Sequence, residues 1–182
     1  NLNEFNPDKG IIALMYHRFN ENKYPSTNIK NEVFLEHLNE FNPDKGVIAL
    51  MYHRFNENKY PSTNIRNEIF LKHLDEINNS KFEFISFNKF SEIIKSKMKK
   101  NYLLLTIDDG FKSFYLNAWP VLKERKIPFI LFVSTREVGK QGYMTWEQIK
   151  EVENNNFAFI GHHSHTHEYL IDVSNEEFIL DI

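Results

Sequence analysis

Apolar and polar residues follow two different periods along this chain, and the switches between them mark out its elements. Val47-Ile48-Ala49-Leu50-Met51-Tyr52, Leu103-Leu104-Leu105-Thr106-Ile107, Phe129-Ile130-Leu131-Phe132-Val133 and Phe157-Ala158-Phe159-Ile160 are short, almost unbroken apolar runs. Runs of this length, rich in β-branched and aromatic residues, predict buried strands. Between them the period lengthens. Over 67–77, Ile69, Phe70, His73, Leu74 and Ile77 fall on one helical face. A short strand at 82–86 and a helix at about 88–98 come next, then the strand at 102–107 and a helix around 113–126 that Pro120 is expected to kink or divide. Thr145-Trp146-Glu147-Gln148 is a capping box for a helix at 145–154, and Ser174-Asn175-Glu176-Glu177 is another near the end of the chain. Strands alternating with helices predict an α/β fold, a parallel sheet or barrel.

Two of these strands run into residues that bind metals. The run 103–107 leads into Asp108-Asp109-Gly110, and the run 157–160 leads through Gly161 into His162-His163-Ser164-His165-Thr166-His167. Active sites of parallel α/β folds collect at the carboxyl ends of strands, so two such ends imply one site. Asp-Asp-Gly is also ordinary turn chemistry. Adjacent carboxylates repel, however, unless a cation or donor separates their proton affinities, and one can then ligate while its neighbour acts as a base. The histidine cluster has its own plain reading as a polar loop or a fortuitous metal-binding tract. Four of the chain's eight histidines lie within 162–167. His163 and His167, four apart, share a face of either a helix or a strand, and on a strand His165 would share it too. The chain has no cysteine, so a metal would rest on imidazole and carboxylate, and catalytic zinc takes three such ligands with one position left for water.

The chain also repeats itself. Residues 3–38 recur at 39–74 with four substitutions, Ile11 to Val47, Lys30 to Arg66, Val33 to Ile69 and Glu36 to Lys72. A solenoid needs about three or more stacked units, so two copies do not make an array. Copy two is contiguous with the rest and is expected to fill the first strand position beside 102–107. Residues 1–38 are then a near-duplicate outside the integral unit 39–182, free to add an edge strand or to mediate self-association. Net charge is −3, which gives no basic field for nucleic acid or an anionic membrane. No apolar run approaches the ~18 residues of a transmembrane helix, and the compartment stays open.

With these residues in place, the chain resembles the polysaccharide deacetylases with a NodB homology domain, carbohydrate esterase family four. Thr106-Ile107-Asp108-Asp109-Gly110 resembles the family's first motif, with Ile107 in place of its usual Phe, and His163-Ser164-His165-Thr166-His167 resembles the second. Leu50-Met51-Tyr52-His53-Arg54-Phe55, Phe129–Val133 and Met144-Thr145-Trp146-Glu147-Gln148 resemble the first strand and the segments between the motifs, so the likeness covers about 45–170. It implies the N-terminal part of a distorted (β/α) barrel that removes N-acetyl or O-acetyl groups from carbohydrate polymers. Carried over by motif, Asp108 is the catalytic base, and Asp109, His163 and His167 hold a divalent metal, most simply Zn²⁺, whose bound water is the nucleophile. The family's later motifs, with an arginine, an oxyanion donor and a histidine acid, are not found before Ile182. The expectation is therefore a chain ending after the second motif. His53, at a strand end, and Tyr143 and Trp146, in a loop and a helix start, are expected to contact the acetylated carbohydrate. Two rivals belong to other classes. A non-haem Fe(II) oxygenase shares two His and one carboxylate but has no use for Asp108, and an inactive truncated fragment or noncatalytic carbohydrate-binding module would fit a chain that ends after the second motif.

Overall fold

The computed structural model describes residues 11–15, 18–19, 28–29, 46–95, 100–168, 171 and 173–182, with side chains from residue 46 onward. Its centre is a parallel sheet. The strands are β1 (Ile11–Met15), β4 (Gly46–Tyr52), β7 (Phe82–Phe84), β8 (Asn101–Ile107), β9 (Phe129–Val133) and β10 (Ala158–His162). Their order is β1-β4-β8-β9-β10, with β7 also paired to β8. Two small parallel pairs stand apart, β2 (Arg18–Phe19) with β3 (Asn28–Ile29) and β5 (Arg54–Phe55) with β6 (Asn64–Ile65). Every described strand pair within the main sheet is parallel, as strands separated by crossover helices require.

β8 organises the sheet. It pairs with β4 along its whole length, Gly46 opposite Asn101 through Tyr52 opposite Ile107. On its other side it pairs first with β7, at 101–103, and then with β9, at 106–107. The sheet therefore splays along β8, as it must in starting to curl into a barrel. All seven residues of β8 are buried.

The two-residue period of the strands sends alternate side chains to two cores. Ile48, Leu50, Tyr52, Leu103, Leu105, Ile107, Phe129, Leu131 and Val133 face the larger one. It is covered by α1 (Asn67–Asn78) through Phe70, Leu74 and Ile77, by α3 (Trp119–Arg125) through Trp119 and Leu122, and by α4 (Trp146–Glu153) through Ile149 and Val152. Val47, Tyr102, Leu104 and Ile130 face the smaller one, with Ile85 and Ile93, the latter from α2 (Phe87–Ile93). Along β8 this second face carries Tyr102 and Leu104. The same alternation continued past the strand end assigns Asp108 to it.

The helices depart from the sequence pattern in two places. The expected helix at 88–98 is described only as Phe87–Ile93, and residues 96–99 lie outside the described residues. The expected helix at 113–126 is two pieces, a π-helical turn Phe114–Ala118 and then α3, with Pro120 in the first turn of the second. Pro120 has no N–H to donate back, and the wider π turn is the local answer. Both capping boxes are formed. The Thr145 hydroxyl accepts from the Gln148 N–H at 3.4 Å while the Gln148 carboxamide accepts from the Thr145 N–H at 2.9 Å, and Ser174 with Glu177 opens α5 (Asn175–Asp181) in the same way.

Copy two fills the position beside β8, as expected, and copy one adds an edge strand. β1 pairs in parallel with β4, Ile11 opposite Val47 through Met15 opposite Met51, so each residue meets its own repeat thirty-six positions on. His17 lies outside the described residues. Because α1 runs on past the repeat to Asn78 and buries Ile77, copy one could replace copy two only by breaking that helix.

Two predictions follow from this packing. Deleting residues 1–38 should remove an edge strand and leave the β4–β8 core folded, seen as a retained cooperative melt; loss of the transition would make copy one integral. The second concerns His73, on the buried face of α1, with its Nδ1 2.7 Å from the Tyr52 hydroxyl. Burial lowers its pKa from 6.5 to about 3, so the unfolded chain binds the proton more readily than the folded one. Stability from neutral His73 is complete above about pH 6.5 and is lost as pH falls toward 3, with a slope of up to about 1.4 kcal/mol per pH unit. Urea midpoints at pH 7 and pH 4.5 should differ less in His73→Gln than in the parent chain.

Candidate metal centre and active site

β8 delivers two carboxylates to the carboxyl edge of the sheet. The Asp108 N–H donates to the Tyr52 carbonyl at 2.9 Å, extending the β4–β8 ladder one step. The chain then turns sharply, with φ of 72° at Asp109 and 70° at Gly110. Aspartate tolerates this left-handed conformation better than most residues, and glycine adopts it freely. The Gly110 carbonyl accepts from Met144 N–H at 2.9 Å, and Phe111 forms an antiparallel bridge with Tyr143. Both carboxylates are buried, and the Oδ1 atom of each has no hydrogen-bond partner among the described residues.

β10 delivers the histidines, but neither a helix nor a strand sets their spacing. The strand ends at His162, and the following loop turns through positive φ at Ser164 (59°) and His167 (58°). This turn folds His163 and His167 toward the same point. Their Nε2 atoms lie 3.3 Å and 3.1 Å from the one oxygen Asp109 Oδ1. The shared strand face that would have included His165 is not formed; its Nδ1 is 2.8 Å from the Thr135 hydroxyl instead. His162 is exposed at the end of β10.

The loop is held on both sides. His163 N–H donates to the Val133 carbonyl at 3.0 Å, and the Ser134 hydroxyl donates to the His163 carbonyl at 3.0 Å. From the other side, Asp181 at the end of α5 accepts from the Thr166 N–H at 2.8 Å through Oδ1 and from the His165 N–H at 3.2 Å through Oδ2. Hydrogen bonding from Thr166, against some burial, holds the Asp181 carboxyl below the usual carboxylate range. Asp181 gives no sequence signal beyond its place at the end of a capped helix, because its partners lie fifteen and sixteen residues away in a loop.

The electrostatics separate the two aspartates. Burial raises Asp109, but His163, His53 and His167 together outweigh it and hold the carboxyl below its ordinary value. For Asp108 burial dominates; with the pull of His163 and the push of Asp109 added, its pKa rises to about 6. The nearby Asp109 raises His163, against the effect of burial. One carboxylate is thus a firm anion among imidazoles and its neighbour holds a proton more tightly.

Asp109, His163 and His167 form a group suited to a cation. Donor atoms around tetrahedral zinc, at about 2.0–2.1 Å from the ion, stand about 3.3–3.4 Å from each other. The 3.1 and 3.3 Å separations to Asp109 Oδ1 are of that size. A desolvated carboxylate oxygen facing two imidazole nitrogens fits a divalent metal better than it fits an ion pair.

A cavity of about 300 Å³ opens beside the group, lined in part by Asp109, Phe111, Ser134, Tyr143 and His167. Of the aromatic residues expected to contact substrate, Tyr143 lines it; Trp146 is half exposed at the start of α4 and is not among the lining residues. His53 directly follows β4 and is near enough for its charge to act on Asp109.

Gly161 makes room for this arrangement. A Cβ there would lie 2.5 Å from Cδ1 of Phe132, whose ring packs 6.2 Å from the His163 imidazole, centroid to centroid. Gly161→Ala is expected to destabilise the chain by about 1–3 kcal/mol and to weaken zinc binding by displacing Phe132 against His163. Calorimetric melting and zinc titration of the variant measure both effects.

The comparisons agree with this geometry. The family model described as polysaccharide deacetylase matches residues 95–182. A poly-β-1,6-N-acetyl-D-glucosamine N-deacetylase of Staphylococcus aureus is 30% identical over 89 residues, covering 47% of this chain and 29% of that protein. Among solved structures, IcaB from Ammonifex degensii is 32% identical with a TM-score of 0.61, over 67% of this chain and 54% of that one. The deacetylase PplD of Streptococcus pyogenes, 22% identical with a TM-score of 0.65, shares the fold. The chain spans less than a third of the length of the Staphylococcus aureus relative and about half that of IcaB. The matched residues 95–182 are the ones that carry the aspartate pair and the histidine loop, so the likeness to polysaccharide deacetylases falls on the candidate site itself.

Proposed function

We propose that this chain carries the metal-binding part of a carbohydrate deacetylase site, which hydrolyses N-acetyl or O-acetyl groups on a carbohydrate polymer. The observation that carries this reading is the convergence of His163 and His167 on Asp109 Oδ1 beside a second buried carboxylate, Asp108. Asp109, His163 and His167 would hold the cation, with Zn²⁺ the first candidate for a set of two imidazoles and one carboxylate. Such a cation, when bound, supplies Lewis acidity toward the acetyl carbonyl and toward water.

Asp108 is the base in this reading. Burial keeps its affinity for protons high for a carboxylate, yet it is ionised at neutral pH, which suits a group that must accept a proton from the attacking water and hold it. Attack at the acetyl carbon gives a tetrahedral oxyanion; its collapse breaks the bond to the sugar nitrogen or oxygen, which takes up a proton equivalent to the one Asp108 accepted from water and departs as amine or alcohol, leaving acetate. Asp109 is kept from this role by the three histidines that favour its anion. Tyr143, in the cavity wall, gives the sugar a flat apolar surface; His53 and Trp146, outside that lining, are proposed as further contacts to the polymer.

The division of labour between the two aspartates is directly testable. His163→Ala should abolish stoichiometric zinc binding, measured by calorimetric titration. Asp108→Asn should retain one equivalent of zinc, and in a protein completed with the family's later motifs acetate release from N-acetylated polysaccharide should fall by about 10²–10⁴-fold, the usual worth of a positioned base. Loss of zinc in Asp108→Asn would make Asp108 a ligand and overturn the assignment.

A further inference from the structure

A line of stacked side chains runs from the surface to the cavity wall. Arg54, the second residue after β4, lies with its guanidinium carbon 4.0 Å from the centre of the Tyr60 ring and 3.4 Å from the centre of the Phe111 ring. Its Nη1 donates to Glu57 Oε2 at 2.7 Å, and its side chain is only 13% exposed. Phe111 packs in turn on Tyr143, ring centres 4.9 Å apart and planes 36° from each other. Phe111 and Tyr143 both line the cavity that holds Asp109 and His167, whereas Tyr60 is 40% exposed.

Burying a guanidinium between two rings has a desolvation cost that a loop of this size has no need to incur. The Arg54–Glu57 pair could sit in solvent, and the 54–65 loop is already tied by the Arg54 N–H to Thr63 carbonyl bond at 3.0 Å and the Asn56 N–H to Ile65 carbonyl bond at 2.9 Å. What the sandwich adds is a fixed position for Phe111, and through it for Tyr143. A planar guanidinium stacks on two faces at once and cannot slide as an ammonium can.

We propose that Arg54 is a positioning residue: clamped between Tyr60 and Phe111, it holds the Phe111–Tyr143 wall as a stacking surface for a pyranose ring beside the metal group, and Tyr60 extends that surface to a neighbouring sugar. This rests on the reading of the site as a carbohydrate deacetylase and deepens it. The ligand class is a neutral oligosaccharide of acetylated amino sugar, two or more units long, and not a free monosaccharide. Aromatic faces suit the apolar C–H faces of pyranose rings, and a surface on both sides of Arg54 rewards a chain over a single unit.

The test uses the 182-residue chain with two probes, a pentasaccharide of β-1,6-linked N-acetylglucosamine and the N-acetylglucosamine monomer, alongside zinc titration. The parent chain should bind the pentasaccharide more tightly than the monomer. Arg54→Met keeps the aliphatic stem and Arg54→Lys keeps the charge; both should lose about tenfold in pentasaccharide affinity while still binding one equivalent of zinc. Tyr60→Leu, at a half-exposed ring with little risk to folding, should lose affinity for the pentasaccharide and leave monomer binding unchanged. Parental affinity in Arg54→Met or Arg54→Lys overturns the positioning role, as does loss of zinc together with sugar, which would make Arg54 a general scaffold residue. Equal loss of both probes in Tyr60→Leu overturns the extended surface. A parent chain that binds zinc but does not prefer the pentasaccharide overturns this inference and leaves the metal site standing, whereas failure to bind zinc removes the reading beneath it.

Discussion

Two adjacent carboxylates buried at the end of one strand set the terms for everything around them. Desolvating an anion is costly unless opposite charge or donors compensate, and two anions side by side double the problem. The chain meets it asymmetrically. Asp109 is surrounded by imidazoles and stays ionised, while Asp108 is left largely to burial and its proton affinity rises. The position of the histidine loop, the turn at Asp109 and Gly110, and the clamps on 163–167 all serve this imbalance. Chemically, the imbalance suits the division proposed above, in which Asp109 ligates and Asp108 accepts a proton.

The sheet supplies the rigidity that such an arrangement requires. β8 is buried along its whole length and paired on both sides, so its last residue has little freedom to move. The histidines lack that support, because they sit on a loop beyond β10. Their order comes from hydrogen bonds to the end of β9 on one side and to Asp181 on the other. Backbone and carboxylate partners on two faces give this loop its form, although nothing periodic in its sequence says so.

Much of this was legible in the residues. Unbroken apolar runs located the strands, because a central parallel strand is buried on both faces and has no polar side to show. Capping boxes located α4 and α5, because a helix start satisfies its own N–H groups within four residues. Local chemistry of this kind is written in local sequence. Spacing alone did not pick His163 and His167 from four candidates, since it left His165 equally eligible on a strand; the likeness to the family's second motif named the pair, and positive φ at Ser164 and His167 brings it together. The roles of Asp181 and Arg54 were not legible, because their partners are distant in sequence or, as with Phe111, brought close by a different strand. The π turn at Phe114–Ala118 was half legible: Pro120 announced a break, but not the form the backbone would take there.

The in-register pairing of β1 with β4 has a consequence for how such a domain tolerates change. A parallel sheet grows sideways, and a duplicated strand meets a neighbour whose shape and backbone spacing already suit it, because that neighbour is its twin. The extra strand lies at the margin farthest from β9 and β10, so the end of β8 that carries Asp108 and Asp109 keeps its place. An added strand at this edge asks nothing new of the interior, because β4 already matches it residue for residue.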